Sequence, residues 1–362
     1  MEIREHVPLA SFTTLGVGGE ARFFAEPRSL EDVQEAAAFA RARDLPLFVL
    51  GGGSNVVVSD EGFSGLVLRM RSTQLSTEER GDMVFVTAGA GMVWDDFVVY
   101  AIKHNLFGIE CLSGVPGTVG GAVVANLGAY GAQASDTFVR ADVLDTRSGE
   151  PALKVFENEQ CDFSYHDSFF SREPGRYIII RATFALSRDA GAIPAYRDNR
   201  FDMTSLAVSL GRAPTQSEVR AEVLRMREEK GSLIMPGRIS FKSAGSFFHM
   251  PFVSEEQYAL VAAKAQEIDA AKEERLRPWA WRQKNGSYKV APGFLLEYTE
   301  FKKGYVRGDV GISPRHTLSI INVGEGSARD IAALARDMQD AVEKIFGIRL
   351  EREVEYIGTI EG

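Results

Sequence analysis

The segment from Ser113 to Gly131, Ser-Gly-Val-Pro-Gly-Thr-Val-Gly-Gly-Ala-Val-Val-Ala-Asn-Leu-Gly-Ala-Tyr-Gly, constrains what this chain can fold into more than any other. Glycine weakens the interior of helices and strands, but it permits positive φ and lets a ligand approach the main chain closely. A stretch so dense in glycine and so poor in large side chains is expected to lie outside the ordinary core, with its backbone as the working surface. Its N–H groups would then form a concavity for an anion, above all a diphosphate. A flexible linker is the competing reading. Linkers are rich in Ser and charge, however, whereas Val, Ala and Leu thread this segment.

A second glycine turn, Gly51-Gly52-Gly53-Ser54-Asn55, lies between the β-rich runs 47–50 and 56–58. Two such turns at strand ends could hold one diphosphate between them. Gly16-Val17-Gly18-Gly19-Glu20-Ala21 formally meets the dinucleotide-binding fingerprint, but its context rejects it. That fingerprint needs a strand before it and a helix directly after, and here Arg22-Phe23-Phe24 follows like a strand.

At 362 residues the chain exceeds one ordinary core, and about two or three domains are expected. Its hydrophobic fraction of 45% and charged fraction of 25% are those of a soluble globular protein. A net charge of −9 argues against nucleic-acid or acidic-membrane partners, so an anionic ligand must meet locally placed cations. Cys111 and Cys161 are too few for a disulfide framework, and His6, His104, His166, His249 and His316 show no metal-ligand spacing, so no metal is expected. No signal peptide or membrane span is legible, and the expectation is a cytoplasmic monomer.

Local signals order the rest. Ser29 caps a helix with Glu31 and Asp32 in its first turn, ending before Pro46. Residues 83–88 read as a strand, 94–105 as an amphipathic helix, and 141–144 and 177–186 as strands. From about residue 190 the composition shifts to charged helices at 215–229 and 254–275. The chain closes with a helix over 327–346, Ser327 and Asp330 standing at capping-box spacing, and a strand over 348–357. The fold class is α+β.

With these pieces in view, the chain resembles the UDP-N-acetylenolpyruvoylglucosamine reductase family. The resemblance runs nearly end to end, through Thr14-Leu15-Gly16-Val17-Gly18-Gly19, the Gly51 to Asn55 turn, Gly114-Val115-Pro116-Gly117, Asn126 through Gly131, Tyr165 to Ser168, Ala244-Gly245-Ser246-Phe247-Phe248 and Leu350-Glu351-Arg352-Glu353-Val354. It implies an FAD-binding domain of the vanillyl-alcohol-oxidase (PCMH) type and a smaller α+β substrate-binding C-terminal domain. The implied divisions are residues 1–75, completed by a C-terminal strand in 348–362, then 76–212 as a second FAD-binding subdomain, and 213–347 for substrate.

The resemblance also implies the chemistry: NADPH reduces FAD, and the reduced flavin passes hydride to the enolpyruvyl ether of a UDP-sugar, a step in peptidoglycan precursor synthesis. The cofactor would be held by Gly51, Gly52, Gly53, Ser54 and Asn55 on one side. On the other stand Ser113, Gly114, Pro116, Gly117, Gly120, Gly121, Asn126, Gly128, Ala129, Tyr130 and Gly131. Ser246 aligns with the serine that delivers a proton to C2, although a serine in general merely caps or packs. Glu353 aligns with the glutamate that supports this acid. On residues alone, the alternation of Glu351, Glu353 and Glu355 reads as a solvated face; in a partly dry pocket, desolvation would instead keep Glu353 protonated. Tyr196, Lys230 and Lys303 align with residues that hold the substrate and its diphosphate.

Three positions depart from the family pattern. His166 stands where an arginine grips the substrate carboxylate, which implies weaker, pH-dependent stabilisation, with Arg172 or Arg181 as possible substitutes. His249-Met250-Pro251 replaces a usual Lys-Asn-Pro, and Glu355 occupies a position that is basic in some relatives. A flavoprotein on the same scaffold acting on a different enol ether or nucleotide sugar is therefore the alternative reading. An oxidase of the wider FAD family and a non-catalytic nucleotide binder fit less well.

Overall fold

The computed structural model describes residues 1–147, 152–189, 203–234, 241–268 and 279–360. The architecture is α+β, as the sequence implied, and it is organised around three buried apolar clusters. Among the described residues no helix is long and apolar enough to cross a membrane.

The chain opens with β1 (Ile3–Pro8) antiparallel to β2 (Glu20–Ala25), followed by helix α1 (Leu30–Ala42). Ser29 and Asp32 close a capping box on α1, satisfying two of the amides that any helix leaves without partners at its start. Then come β3 (Leu47–Leu50), β4 (Val56–Val58) and β5 (Phe63–Arg69). The sheet order is β1-β2-β5-β3, with β5 parallel to both neighbours.

A five-stranded antiparallel sheet comes next, built from β6 (Leu75–Arg80), β7 (Met83–Gly89), β10, β11 and β12. Between β7 and β10 (Phe138–Asp145) the chain forms α2 (Trp94–Lys103), α3 (Val119–Val124) and a small hairpin of β8 (Gly128–Ala129) and β9 (Ala132–Gln133). Strand β11 (Ala152–Glu157) is the edge, and β12 (Tyr177–Ser187) lies centrally. On β7 the period of two is plain, with Val84, Val86 and Ala88 buried and the residues between them partly exposed. Trp94, Phe97, Val98 and Ala101 make the buried stripe of α2, and Trp94 and Phe97 pack against Phe184 of β12 at 5.7 and 5.1 Å between ring centroids.

The helices α4 (Met203–Leu210) and α5 (Gln216–Glu229) lie beyond it in the chain. The sequence reading opens the substrate-binding unit with α5, yet Val219 and Val223 are buried in the core of the five-stranded sheet. Arg220 clasps Asp95 of α2 through two hydrogen bonds of 2.6 and 2.7 Å, fixing α5 against the preceding unit.

The remainder supplies β13 (Lys242–Ser243), β14 (Phe252–Val253), α6 (Glu255–Ile268), β15 (Ala280–Arg282), β16 (Tyr288–Val290), α7 (Pro292–Leu296), β17 (Val306–Arg307), β18 (Val310–Ile312), β19 (Ile320–Asn322), α8 (Ala328–Phe346) and β20 (Glu355–Ile357). Ile331, Leu334, Ala335, Met338, Val342 and Phe346 line one face of α8 and build the third core. Gly347 ends α8 at φ 66°, a left-handed position suited to glycine. Asp60 of the first unit accepts the amides of Ala328 and Arg329 at 2.7 and 3.0 Å, docking α8 onto the first sheet.

Two expectations are corrected by these elements. The glycine segment is not all irregular: α3 runs inside it, capped by Thr118, whose hydroxyl accepts the Gly121 amide, and Val119 and Val123 are fully buried. The apolar residues threaded among the glycines are what anchor it. The expected strand over 348–357 is also shorter, with Glu355–Ile357 alone forming a strand, parallel to β4, and Arg352 making an isolated antiparallel bridge to Phe248. Its approach is an extended run that changes partner at Glu353, whose amide bonds the Phe247 carbonyl, whereas the Glu355 amide bonds the Asn55 carbonyl.

Candidate active site

Where the first sheet, the glycine segment and the C-terminal unit meet, a cavity of about 470 Å³ opens. Gly51 to Asn55 form one wall, Pro116 to Thr118, Gly120 to Ala122 and Gly128 to Tyr130 another, and Ser246, His166, Glu353 and Glu355 line the same space.

The glycine walls touch backbone to backbone. A Cβ on Gly52 would lie 2.7 Å from the Cα of Gly117, and one on Gly53, at φ +64°, would lie 1.9 Å from the Phe12 carbonyl oxygen. No side chain fits at either position, so the two turns form one continuous main-chain surface. Among the described residues, no protein acceptor meets the amides of Gly52, Gly53, Ser54 and Asn55. Donors left open on a concave wall are suited to phosphate oxygens. The observed wall therefore fits the diphosphate of a dinucleotide such as FAD.

Four of the expected cofactor residues stand behind the wall and do not line it. Ser113 is fully buried and donates to the Glu110 carbonyl, and the Gly114 amide donates to Asp95 at 2.6 Å. The side chain of Asn126 donates to the Ser164 carbonyl at 2.7 Å and accepts the Ser135 amide at 3.1 Å, while Gly131 makes the turn between β8 and β9. Asn126 thus ties the glycine segment to the loop that carries His166.

In that loop the Ser164 amide donates to the Asp167 carbonyl at 3.0 Å, closing a tight turn with Tyr165 and His166 at its centre. His166 takes φ 53°, a conformation non-glycine residues adopt at a cost, held here by Asn126 and by the Ser168 hydroxyl donating to Val124. Its Nδ1 lies 3.3 Å from Oε1 of Glu353. From the other side, Nδ1 of His249 lies 3.9 Å from Oε2. Burial pushes the Glu353 carboxyl up to about 7 against the pull of Lys289, and burial with the neighbouring His249 and Lys289 pushes His166 down to about 4. Both shifts favour the uncharged forms of the two groups that meet at 3.3 Å. Burial also lowers His249 and raises Glu355.

Ser246 is set at the cavity by the two residues after it. Phe247 and Phe248 are buried in the third core, and Phe248 bridges Arg352 in antiparallel fashion, which brings Ser246 and Glu353 onto one cavity from segments about a hundred residues apart. Lys230, at the end of α5, also lines the cavity, with its Nζ 5.5 Å from the Tyr130 ring. Lys303 is exposed and away from the cavity, and Tyr196 lies outside the described residues. Arg172 pairs with Asp162 and Asp167 and Arg181 with Asp142, so neither substitutes for a cation at His166. Met250 and Glu355 do line the cavity, so all three departures from the family pattern bear on it directly or, for His249, through Glu353.

Sequence reasoning named His249 only as a departure from the family pattern and missed Lys289 altogether. Lys289 of β16 places its Nζ 3.3 Å from the Tyr165 ring centroid, and Tyr165 stands edge-on to His166 at 4.4 Å. The pairing of 247–249 with 351–353 has no local signal, and only the spacing of two histidines from one glutamate in three dimensions reveals it.

Residues 21–151 match the FAD binding domain family, and residues 237–357 match the C-terminal domain of UDP-N-acetylenolpyruvoylglucosamine reductase. The chain is 38% identical over 361 residues to the UDP-N-acetylenolpyruvoylglucosamine reductase of Thermobifida fusca (strain YX), covering 98% of each chain. It is 36% identical over 354 residues to that of Pseudomonas fluorescens (strain Pf0-1), again covering 98% of each. Its fold matches the crystal structure of UDP-N-acetylenolpyruvylglucosamine reductase (MurB) from Thermus caldophilus with a TM-score of 0.65 at 26% identity, covering 99% of this chain and 100% of that one. On identity and coverage together, the chain belongs to the UDP-N-acetylenolpyruvoylglucosamine reductase family.

Proposed function

We propose that this protein reduces the enolpyruvyl ether of UDP-N-acetylglucosamine enolpyruvate to UDP-N-acetylmuramate, with FAD in the glycine-walled cavity and NADPH as the electron source. When bound, the flavin supplies the hydride, taken from NADPH and delivered to C3 of the enolpyruvyl group. The observation that carries the reading is the joining, on one cavity, of open main-chain amides with Ser246 and a carboxyl held protonated near neutral pH.

The amides of Gly52 to Asn55, with the facing wall at Gly117, hold the cofactor diphosphate. Ser246 delivers the proton to C2, and Glu353, uncharged below about pH 7, is the donor beside the developing anion. His166, which lines the cavity, is assigned to the substrate carboxylate, and Lys230, which lines it too, to the UDP diphosphate. Tyr196 and Lys303 are assigned to substrate on resemblance alone.

A second reading has one observation in its favour. His166, Met250 and Glu355 all line the cavity, so the pocket differs from the family pattern where substrate would lie. A related flavoprotein acting on another enol ether would show the same architecture. One anaerobic experiment separates the two: NADPH should bleach the flavin, and the enolpyruvyl UDP-sugar should restore its colour within seconds. Bleaching without recovery would favour the second reading.

A further inference from the structure

The polar end of the cavity holds three titratable groups in contact and no permanent charge among them. Glu353 presents Oε1 to Nδ1 of His166 at 3.3 Å and Oε2 to Nδ1 of His249 at 3.9 Å, and the two imidazole centroids are 6.3 Å apart. Nδ1 of His249 is fully buried and makes no hydrogen bond. The rings come from the 164–167 turn and the segment after Phe248, and the carboxyl from the extended run before β20. The charged groups facing them are Lys289 of β16, stacked on Tyr165, together with Asp167, Glu351 and Glu355.

A carboxylate brought against neutral groups gains only hydrogen bonds. It gains a charge-assisted contact if one of them ionises as it arrives. Glu353 cannot become positive, and His249 does not line the cavity. Of these three groups, His166 alone both lines the cavity and can carry a positive charge, although Arg227, Lys230 and His316 also line the cavity.

We propose that His166 takes up one proton from solvent when a carboxylate ligand enters the cavity, with Glu353 holding its ring and His249 a positioning residue behind Glu353. This rests on the substrate class given under the proposed function. Desolvation keeps His166 neutral without ligand, and an anion at hydrogen-bond distance supplies the opposite charge that reverses that shift. Binding and protonation are then linked, and affinity rises as pH falls from about 7 toward 5.

The test is calorimetric titration of the oxidised holoenzyme, without NADPH, at pH 6 in buffers of differing ionisation enthalpy. The titrants are the enolpyruvyl UDP-sugar and UDP-N-acetylglucosamine, which lacks the carboxylate. At pH 6 His166 is neutral and Glu353 largely protonated, so uptake reports on the imidazole. Uptake of roughly one proton is expected for the first titrant and near zero for the second. His166→Gln should abolish the uptake, and His166→Arg should bind at pH 6 without uptake. His249→Gln should leave the uptake in place but weaken binding severalfold. Binding without uptake, or uptake that survives His166→Gln, overturns the inference alone. Failure of the enolpyruvyl UDP-sugar to bind at all removes the functional reading as well.

Discussion

Asn55 donates its side-chain amide to the Glu353 carbonyl at 3.2 Å, and its own carbonyl accepts the Glu355 amide at 3.1 Å. The turn assigned to the cofactor and the carboxyl assigned to proton supply are thus one mechanical unit. Replacing Asn55 by Ala removes the side-chain bond and leaves the backbone one. The expected loss is about 1 kcal/mol of stability, read as a lower melting temperature. Because the Glu353 backbone is released, turnover should fall by more than flavin content does. Equal losses in both would separate the two functions of this turn.

His166 and Glu353 impose opposite pH dependences on stability. The Glu353 carboxyl is raised from 4.5 to about 7, so the folded state binds its proton more tightly and stability falls as pH rises through that window. His166 is lowered from 6.5 to about 4, so the unfolded state binds the proton more tightly and stability rises with pH over that window. Between pH 4.5 and 6.5 the slopes oppose each other, and the pair leaves the wild-type curve nearly flat. Glu353→Gln should expose the rising slope and His166→Gln the falling one, each worth up to about 3 kcal/mol across its window. Denaturant titrations at half-unit pH steps measure this, and unchanged slopes in both variants would refute it.

The glycine walls predict a contrast between two substitutions of equal backbone strain. Gly53 and Gly81 have φ of +64° and +61°. A Cβ at Gly53 meets the Phe12 carbonyl at 1.9 Å, whereas at Gly81 nothing lies within 4 Å. Gly81→Ala should cost about 1 kcal/mol and leave the protein yellow. Gly53→Ala must displace the turn, and the purified protein should lose most of its flavin, seen as the ratio of flavin to protein absorbance.

What was legible in the sequence was local. Ser29 and Ser327 announced their helices because a capping box spans only a few residues, and the burial of Val84, Val86 and Ala88 accords with the period of two in β7. The glycine turns were legible as a pair, but not their contact at Gly52 and Gly117, nor α3 between buried Val119 and Val123. The alternation at 351–355 left open which face is dry. That choice is made by Phe247, Phe248 and Asn55, remote in sequence, and no periodicity encodes it. The approach of His249 to Glu353 escaped notice for the same reason.

Ser246 faces the cavity, while Phe247 and Phe248 after it are fixed in the core and Gly245 before it takes φ 76°. Its side chain can be shortened without disturbing what positions it, so Ser246→Ala is a clean probe. If the hydroxyl supplies the proton to C2, the variant should keep its flavin, melt within about 1 °C of wild type and be bleached by NADPH at the normal rate. Re-oxidation by the enolpyruvyl UDP-sugar should slow by roughly 10²- to 10⁴-fold, the range for loss of a positioned proton donor. Stopped-flow absorbance separates the two half-reactions. Equal slowing of both would mean that Ser246 orients the flavin, and the proton would then be sought at Glu353, a raised carboxyl on the same cavity.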